Sequence, residues 1–422
     1  MNPKLFRQVK EYEKELSLKR RGLVSEIRKK EKELSSLPKN GEALERLRRL
    51  NKVHATVNKY WPSHWPAVEV CLSACASLLI KDVGQSLGIV LLGRSAAGKG
   101  TVLEMFQDAE RTLWQDKFSK SSLLSGYGDA SKQDLEARAL YREAKHQTVF
   151  IGDLNPLLKA GAREGLSSFY ADFAVWLDGK GLVYNTGTHG KLGMKGDFSF
   201  ALVGGATPFR EEIWRAMAGL GPRLLFFPVR SPKEKVTYAQ YEPAKNECRD
   251  AVHALLKELA KIPARSLAWR EEPPELEFRK QLAGFCTIMA LGQTISNGFG
   301  SKERPHPPET PHLEQRLATL AHARALLYGR EAVDVSDVDF ARAFVRTTAP
   351  NKRGVVLLAM SEQKAFEVGQ IVEITGLSYG AVNAILDDMR MAGIVELCGP
   401  LPREGRGRPA GVWKINPPEE DV

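Results

Sequence analysis

The sequence has no apolar run long enough to cross a lipid bilayer. Its longest such run, from Ala67 to Ile80, contains Glu69 and is shorter than the roughly 20 apolar residues that a membrane helix needs. The amino terminus is charged from Lys4 onward and has no apolar core typical of a secretory signal. We therefore expect a cytoplasmic protein that does not bind or span a membrane.

Cysteine is scarce, with 5 among 422 residues. The five are Cys71, Cys75, Cys248, Cys286 and Cys398. Their spacing matches neither a zinc site nor a disulfide framework, which suits a reducing compartment.

The hydrophobic fraction of 43% and the charged fraction of 27% exclude a fibrous or wholly disordered chain. The length suits two or three domains.

Basic residues outnumber acidic ones, and most of the excess positive charge lies at the amino-terminal end of the chain. The formal net charge is +10, and residues 1–50 hold 15 Lys and Arg against 8 Asp and Glu, a net +7. A basic balance of this kind suggests an anionic partner, most often nucleic acid.

Apolar residues in the same segment recur in steps of three, four and seven, which predicts helices with one apolar stripe. The first stripe comprises Leu5, Val9, Tyr12, Leu16, Leu23, Ile27, Leu34 and Leu37, and the second comprises Leu44, Leu47 and Leu50. A turn at 38–41 separates them, so residues 1–52 are predicted to form a basic helical hairpin or coiled-coil arm. Two interpretations stay open: a solvated helix packed on its neighbour, or a basic face that contacts nucleic acid.

Short apolar stretches at 87–92, 148–151 and 200–204 predict strands. Helical and hairpin patterns separate them, which is typical of an α/β core with a parallel sheet. Residues 244–348 are mostly helical in pattern, with a polar loop at 296–311.

A glycine-rich turn directly follows the first strand and precedes a predicted helix at 101–107. It contains Gly93, Ser95, Ala96, Ala97, Gly98, Lys99, Gly100 and Thr101. A Gly-x4-Gly-Lys loop between a strand and a helix wraps its N–H groups around phosphates, and Lys99 would reach the β- and γ-phosphates of ATP. Gly100 stands where a Mg²⁺-binding Ser or Thr usually follows the lysine, so that role falls to Thr101. Because Gly-Lys-Gly-Thr also occurs in adenylate kinases, a small-molecule kinase is an alternative on this motif alone.

An acidic residue follows the strand at 148–151. Nucleotide hydrolysis needs a carboxylate at such a strand end to hold the shell of Mg²⁺, and often a second one to orient the attacking water. Asp153 is the single acid at this turn, so it is predicted to serve the metal or the water. Asp172 and Asp178 are near in sequence, but nothing in the sequence assigns them to the site.

With these motifs in order, residues 86–348 resemble the AAA+ ATPases. The narrower resemblance is to the branch with an inserted β-hairpin, which includes minichromosome maintenance helicases and MoxR-type ATPases. It rests on segments similar to sensor 1 (202–208), to the arginine-finger segment (219–226) and to the lid helix with its following turn (323–338). These runs disfavour an adenylate kinase, which lacks them.

The resemblance implies a nucleotide-binding core at 53–235 and a helical lid at 236–350. It assigns γ-phosphate sensing to Thr207. It assigns the finger to Arg223, which would act on the nucleotide of a neighbouring subunit. A homo-oligomer is therefore expected, with a hexameric ring as its form.

The inserted hairpin of this branch falls between Asp153 and Thr207, and in helicases it faces the central pore. Lys180 and Lys191 are accordingly the candidates for DNA contact there. His312 stands where the family has the sensor 2 arginine, and Arg316, one turn later on the same face, is the possible substitute.

The sequence departs from the family pattern at two positions that serve hydrolysis of the nucleotide. The Asp-Glu pair of the family becomes Gly152-Asp153 here, and Gly100 replaces a hydroxyl residue. Nucleotide binding is therefore better supported by the sequence than fast hydrolysis.

Residues 351–416 resemble a winged-helix domain, with two helices joined by a turn, then two strands flanking a basic loop. Ser378 is predicted to cap the second helix, at 378–391. In such domains this helix enters the major groove and the wing contacts phosphates. The candidates for DNA contact are Tyr379, Asn383, Arg403, Arg406 and Arg408. An acidic tail occupies 417–422.

The sequence thus predicts an ATP- and Mg²⁺-dependent DNA motor of helicase type, and the domain order suggests replication of a mobile element as its setting. Two alternatives belong to other classes. One is an ATP-switched DNA-binding adaptor or regulator that does not unwind DNA. The other is a MoxR-like remodeller of a protein partner.

Overall fold

The computed structural model describes residues 41–81, 85–116, 140–156, 167–186, 190–209, 213–214, 223–231, 238–269, 273–294, 310–349, 352–361, 365–401 and 410–415. The predicted arm at 1–40, the wing residues Arg403, Arg406 and Arg408, and the tail at 417–422 lie outside these residues. The chain divides into two units, Met1–Glu45 and Arg46–Val422. Only the last residues of the first unit are described, as the opening of a helix.

Seven strands precede the helical region. In chain order they are β1 (Leu87–Leu92), β2 (Thr112–Gln115), β3 (Thr148–Ile151), β4 (Gly181–Thr186), β5 (Gly190–Lys195), β6 (Ala201–Ala206) and β7 (Leu224–Pro228). Five of them form one sheet in the order β2-β3-β6-β1-β7, and every pairing in it is parallel. This confirms the expected α/β core. The other two, β4 and β5, form an antiparallel hairpin.

The sheet is buried on both faces, which explains why its strands are almost continuously apolar. Along β1, the side chains of Ile89 and Leu91 belong to one apolar cluster while that of Val90 belongs to the cluster on the opposite face. The close approach of β7 favours glycine at position 88 of β1, because a Cβ there would lie 2.7 Å from the Leu224 side chain and 3.0 Å from the Arg223 carbonyl oxygen.

Among the described residues, six helices precede or flank the sheet. They are α1 (Gly41–Tyr60), α2 (Trp65–Ser77), α3 (Lys99–Glu104), α4 (Leu140–Glu143), α5 (Ser167–Leu177) and α6 (Tyr238–Leu259). The second apolar stripe of the sequence lies in α1 and continues to Val53 and Val57, both fully buried, so this helix is longer than the stripe predicted. The helix after the phosphate loop begins two residues earlier than predicted, directly after Gly98.

Three further helices follow: α7 (Pro273–Gln293), α8 (Pro311–Leu327) and α9 (Val335–Val345). Helix α8 packs along α2, and α7 packs against α8 and α9. Helix α2 is buried almost all round because it also packs against β6. The apolar run at 67–80 is therefore a central helix of the core. In the part of the chain that the structure describes, no helix has the length and apolar character to cross a membrane.

A buried charged network joins α2, α8 and α9. Glu69 accepts hydrogen bonds from Arg324 Nε (2.9 Å) and Tyr328 Oη (2.6 Å). Asp337, fully buried, accepts from Arg324 Nη1 and from Arg330 Nη1, both at 2.6 Å. The neighbouring Glu69 carboxylate and burial together raise the pKa of the Tyr328 hydroxyl, burial being the larger cause.

The carboxyl-terminal part contains α10 (Arg353–Met360), β8 (Phe366–Glu367), α11 (Val368–Thr375), α12 (Tyr379–Met391), β9 (Val395–Leu401) and β10 (Ala410–Ile415). The three strands form an antiparallel sheet in the order β8-β10-β9. Gly376, with φ of +67°, ends α11, and the Ser378 hydroxyl accepts from the Ala381 N–H at the start of α12. The predicted cap at Ser378 is therefore present.

All five cysteines are free thiols. Four of them lie in α2, α6 and α7, where burial dominates their chemistry. Burial raises the pKa of Cys71, and it raises the pKa of Cys75 and of Cys248 to about 12.

We predict that Asp337→Asn lowers the free energy of unfolding by about 3 kcal/mol or more, because it leaves the buried Arg324 and the half-buried Arg330 with part of their charge uncompensated. The matched control is Asp339→Asn in the same helix, since Asp339 is exposed and lies 3.6 Å from Arg342. Loss of such a surface pair should change stability by less than about 1 kcal/mol. Urea unfolding of both variants measures the difference, and equal losses would contradict a structural role for the buried network.

Candidate functional site

The phosphate loop lies between β1 and α3, at the carboxyl edge of the sheet. Its first residue is fixed to the sheet, because the Gly93 N–H donates to the Ala206 carbonyl of β6 (3.1 Å). Ala96 (φ +60°) and Gly98 (φ +88°) both adopt the left-handed conformation. Such alternation turns successive backbone N–H groups toward one point and makes a concavity suited to an anion. The backbone therefore fits a phosphate group.

Lys99 closes the loop from its own helix. Its Nζ donates to the carbonyl oxygens of Gly93 (2.7 Å) and Arg94 (2.9 Å). Partial burial lowers the pKa of Lys99, while the nearby charge of Asp153 acts in the opposite direction. The ammonium thus lies inside the loop, close to the carboxylate that follows β3.

An imidazole packs directly beneath the loop. His64, in the short turn before α2, is 1% exposed, and a Cβ on Gly98 would lie only 2.0 Å from its Nε2. The Trp61 ring stacks on that of His64, with 6.4 Å between the ring centroids. Burial lowers the pKa of His64, against a smaller raising effect of the Ser63 backbone. The segment 61–64 therefore supports the loop from beneath.

Helix α6 contacts the residue predicted to hold Mg²⁺. The hydroxyl groups of Thr101 and Tyr241 are hydrogen bonded at 2.7 Å, and the Tyr241 ring lies edge-on to Trp61. Lys245, one turn later in α6, pairs with Glu104 of α3 at 3.2 Å. The hydroxyl of Thr101 is thus already engaged, and a metal ion would have to share it or replace Tyr241. Tyr241 was not predicted from the sequence.

The strand ends of β3 and β6 are bridged by an amide. Asn155 donates to Asp153 Oδ1 from its backbone N–H (2.9 Å) and from Nδ2 (2.6 Å). Its Oδ1 accepts from the Thr207 hydroxyl (2.8 Å) and the Thr207 N–H (3.1 Å). The structure therefore brings together Asp153 and Thr207, two residues singled out from the sequence, through a third that was missed. The signal available in the sequence was the position of Asn155, two residues after the acid that follows β3.

The residues present suit a Mg²⁺ ion carried by a nucleotide better than a metal held by protein alone. Within the described ranges, no group of three or more His, Cys, Asp and Glu side chains converges on a metal position. Magnesium commonly binds through one or two protein oxygens together with phosphate oxygens and water. Thr101 and Asp153 are the oxygen donors that would serve it here.

Arg223 lies at the opposite edge of the sheet from Lys99. It directly precedes β7, whose Leu224 pairs with Gly88 near the start of β1. Because β1 rises about 3.3 Å per residue, the two edges are separated by about 20 Å. The guanidinium of Arg223 makes a two-point ion pair with Asp178, at 2.9 and 3.0 Å. Within one chain, Arg223 therefore does not share a site with Lys99.

Both sensor 2 candidates lie at the same edge as Arg223. Arg316 is 1% exposed, donates from Nε to the Ser86 carbonyl (3.3 Å) and lies 3.8 Å from Asp178. Burial lowers its pKa to about 10, although the charge of Asp178 raises it. His312 contacts the Gln85 amide through Nδ1. Within one chain these two residues do not lie at the edge of Lys99, and their contact with a nucleotide stays a prediction.

The two hairpin lysines are exposed but far apart. Lys180 directly precedes β4 at the base of the hairpin, while Lys191 pairs with Asn185 near its tip. Asn185 is five residue steps from Lys180, so the two lysines are about 17 Å apart at the rise of an extended strand. One therefore lies at the base of the hairpin and the other near its tip, and they do not form one cluster.

In the carboxyl-terminal part, Tyr379 is 60% exposed and Asn383, one turn later, is half-buried. The inner face of α12 is buried and consists of Val382, Ile385, Leu386 and Met389. Arg353 fixes this helix from beneath, since its Nε donates to Asp388 (2.7 Å) and its Nη1 to the Thr294 carbonyl (2.6 Å). Contact of Tyr379 and Asn383 with DNA stays a prediction.

We predict that Gly98→Ala destabilises the protein by about 2 kcal/mol or more, because it combines a left-handed φ with a Cβ placed inside the His64 ring. Gly100→Ala is the matched control within the same loop. A Cβ there meets only Glu104, at 3.7 Å, and a helical Gly→Ala change should stabilise by about 0.5–1 kcal/mol. Thermal unfolding compares the two.

Adding His64→Ala to Gly98→Ala separates the two causes. The double variant should recover the steric part of the loss and retain the part due to φ. A Gly98→Ala protein as stable as wild type would contradict the contact with His64.

No protein-family model and no curated protein matches this sequence. Among solved structures, the chain is similar to a full-length MCM homolog from Methanopyrus kandleri, at 14% identity and a TM-score of 0.43, over 72% of this chain and 60% of that one. It is similar to SCCmec type IV Cch, an active helicase, at 11% identity and a TM-score of 0.40, over 87% and 69%. The apo C-terminal region of NrS-1 is similar at 9% identity and a TM-score of 0.29, over 87% and 76%. The chain thus spans about three fifths of the Methanopyrus protein, and the similarities are distant.

Proposed function

We propose that this protein is an ATP-dependent DNA motor of the helicase-like AAA+ type. The observation that carries the proposal is the meeting of Lys99, Asp153 and Thr207 at the carboxyl edge of a parallel sheet. In open α/β sheets, ligands bind outside the carboxyl ends of the strands. A phosphate loop, a carboxylate and a hydroxyl at that edge are the groups that nucleotide hydrolysis requires.

Each group at this edge has a defined task. Lys99 and the loop N–H groups bind the phosphates, Asp153 orients the metal shell or the attacking water, and Thr207 contacts the γ-phosphate. Thr101 is the hydroxyl available to Mg²⁺. When bound, Mg²⁺–ATP supplies the phosphoanhydride bond whose hydrolysis drives the motor.

Hydrolysis would require a second copy of the chain. Arg223 lies about 20 Å from Lys99 along the strands, which suits action on the nucleotide of a neighbouring subunit. His312 and Arg316, the sensor 2 candidates, belong to the same edge, and the Arg316 side chain is fully buried there. A preorganised arginine there would stabilise negative charge in the transition state. We propose a homo-oligomer, with a hexameric ring as the form that closes this contact.

DNA would be contacted in two places. Lys180 and Lys191 flank the hairpin, which in a ring would face the pore. Residues 351–416 would act as a winged helix, with Tyr379 and Asn383 on the helix toward the groove. The remaining proposed divisions are an arm at 1–52, a core at 53–235 and a lid at 236–350.

A second candidate function is an ATP-switched DNA-binding adaptor that does not unwind DNA. Two observations favour it: the Thr101 hydroxyl is bonded to Tyr241 at 2.7 Å, and the strand end has Asp153 without a second acid. Both would slow hydrolysis while leaving nucleotide binding intact. In this function, ATP would order the oligomer on DNA.

ATP turnover and strand displacement, measured with and without DNA, separate the two functions. For the motor, DNA should stimulate turnover, and Lys99→Ala should reduce it about 100-fold or more because it removes the phosphate-binding cation. If DNA leaves turnover unchanged and no strand is displaced, the motor is excluded. ATP-dependent DNA binding without turnover would support the adaptor.

Subunit mixing tests the placement of Arg223. Lys99→Ala and Arg223→Ala should each abolish turnover alone, whereas an equal mixture should regain activity at about a quarter of its interfaces, where the intact loop meets an intact finger. Particle size with a non-hydrolysable ATP analogue is the accompanying control. A strict monomer, or a mixture without activity, would exclude a role for Arg223 between subunits.

A further inference from the structure

Asn155 lies in the turn after β3, between the carboxylate and the hydroxyl of the nucleotide site. Its contacts involve both of its amide atoms and its backbone. Asp153 receives two hydrogen bonds from it, at 2.6 and 2.9 Å, and Thr207 gives two to it, at 2.8 and 3.1 Å. Four hydrogen bonds thus join two strand ends through one residue.

The chemistry of the partners fixes the orientation of the amide. An ionised carboxylate only accepts, and a backbone N–H only donates. Nδ2 of Asn155 must therefore face Asp153, and Oδ1 must face Thr207. The reverse orientation would oppose two acceptors on one side and two donors on the other.

The residue before Asn155 makes this turn rigid. Leu154 is 1% exposed, and its N–H donates to the Gly205 carbonyl of β6 (2.8 Å). Its side chain packs onto Gly204 so closely that a Cβ there would lie 2.4 Å from Leu154 Cδ1. Asn155 is therefore held against β6 by its backbone as well as by its side chain.

We propose that Asn155 is a positioning residue that couples Asp153 to Thr207, so that the metal-facing carboxylate and the γ-phosphate contact adjust together. The inference rests on the proposed function, because it takes Asp153 and Thr207 to face bound ATP. Without the amide, the Thr207 hydroxyl would lose its acceptor and Asp153 would lose the Nδ2 donor. A neutral amide makes this link without adding a second negative charge beside Asp153.

Nucleotide binding tests the coupling without requiring turnover. Affinities for ADP and for a non-hydrolysable ATP analogue are measured with Mg²⁺ on the full chain, for wild type and Asn155→Ala. We expect the preference for the analogue over ADP to fall about 10-fold, as for loss of other partners that orient a metal-site ligand. ADP affinity and the unfolding temperature should stay close to wild type. A preference equal to that of wild type overturns the inference.

Asn58→Ala is the matched control, because Asn58 lies in α1 and bonds to the His54 ring. It should leave the analogue-to-ADP preference unchanged. A similar fall in this control would show that the assay reports general destabilisation, and would overturn the inference. Absence of DNA-stimulated hydrolysis in wild type would exclude the proposed motor, while the binding preference would still decide the role of Asn155.

Asn155→Asp gives a second readout that a purely structural role would not alter. The introduced carboxyl retains an acceptor for Thr207 but faces the Asp153 carboxylate, with Lys99 the charged group that faces Asp153 from α3. The Nδ2 donor to Asp153 is lost and a second negative charge lies beside that carboxylate, so the preference for the analogue over ADP should fall at least as far as in Asn155→Ala, although the acceptor for Thr207 is retained. An analogue preference equal to that of wild type overturns the inference.

Discussion

The parallel alignment of β1 with β6 and β7 is the constraint on which the candidate site depends. Since all three strands run the same way, everything that follows them lies at one edge and everything that precedes them lies at the other. The loop with Lys99 and the hydroxyl of Thr207 fall at the first edge. Arg223 falls at the second. A single strand reversed in this sheet would move one of these groups to the wrong edge, so the division of chemistry is a property of topology before it is a property of any side chain.

The local sequence was sufficient to predict the polar groups that follow the strands at the carboxyl edge of the sheet. The strands at 87–92 and 148–151 occur where predicted, because continuous apolar runs between turn signals are typical of a sheet buried on both faces. The phosphate loop and Asp153 follow from their position after those strands. Element ends were less predictable: α3 begins at Lys99 because Gly98 adopts a left-handed φ, which composition alone does not reveal.

The residues that support the site were not predictable, because each acts through a contact between distant parts of the chain. His64 reaches Gly98, Tyr241 reaches Thr101, and the partner of Arg223 is Asp178 from a preceding helix end. No periodicity or spacing links such pairs. Asn155 is nearer, yet its importance depends on the strand order, which puts β6 beside β3. The candidate ligand-binding residues can therefore be predicted from local sequence, whereas the residues that support them cannot.

Asp178 lies between the β4–β5 hairpin and the edge of the sheet that holds Arg223. It follows α5 directly and stands three residues before the first strand of the β4–β5 hairpin, while its carboxylate holds Arg223 and lies near Arg316. Between it and that strand, Gly179 has a φ of +70°, and its carbonyl accepts from Phe198 on the return side of the hairpin. The hairpin base and the arginine edge thus share the short segment 178–180, so one carboxylate in it is a contact of Arg223 and an anchor of the chain entering the hairpin.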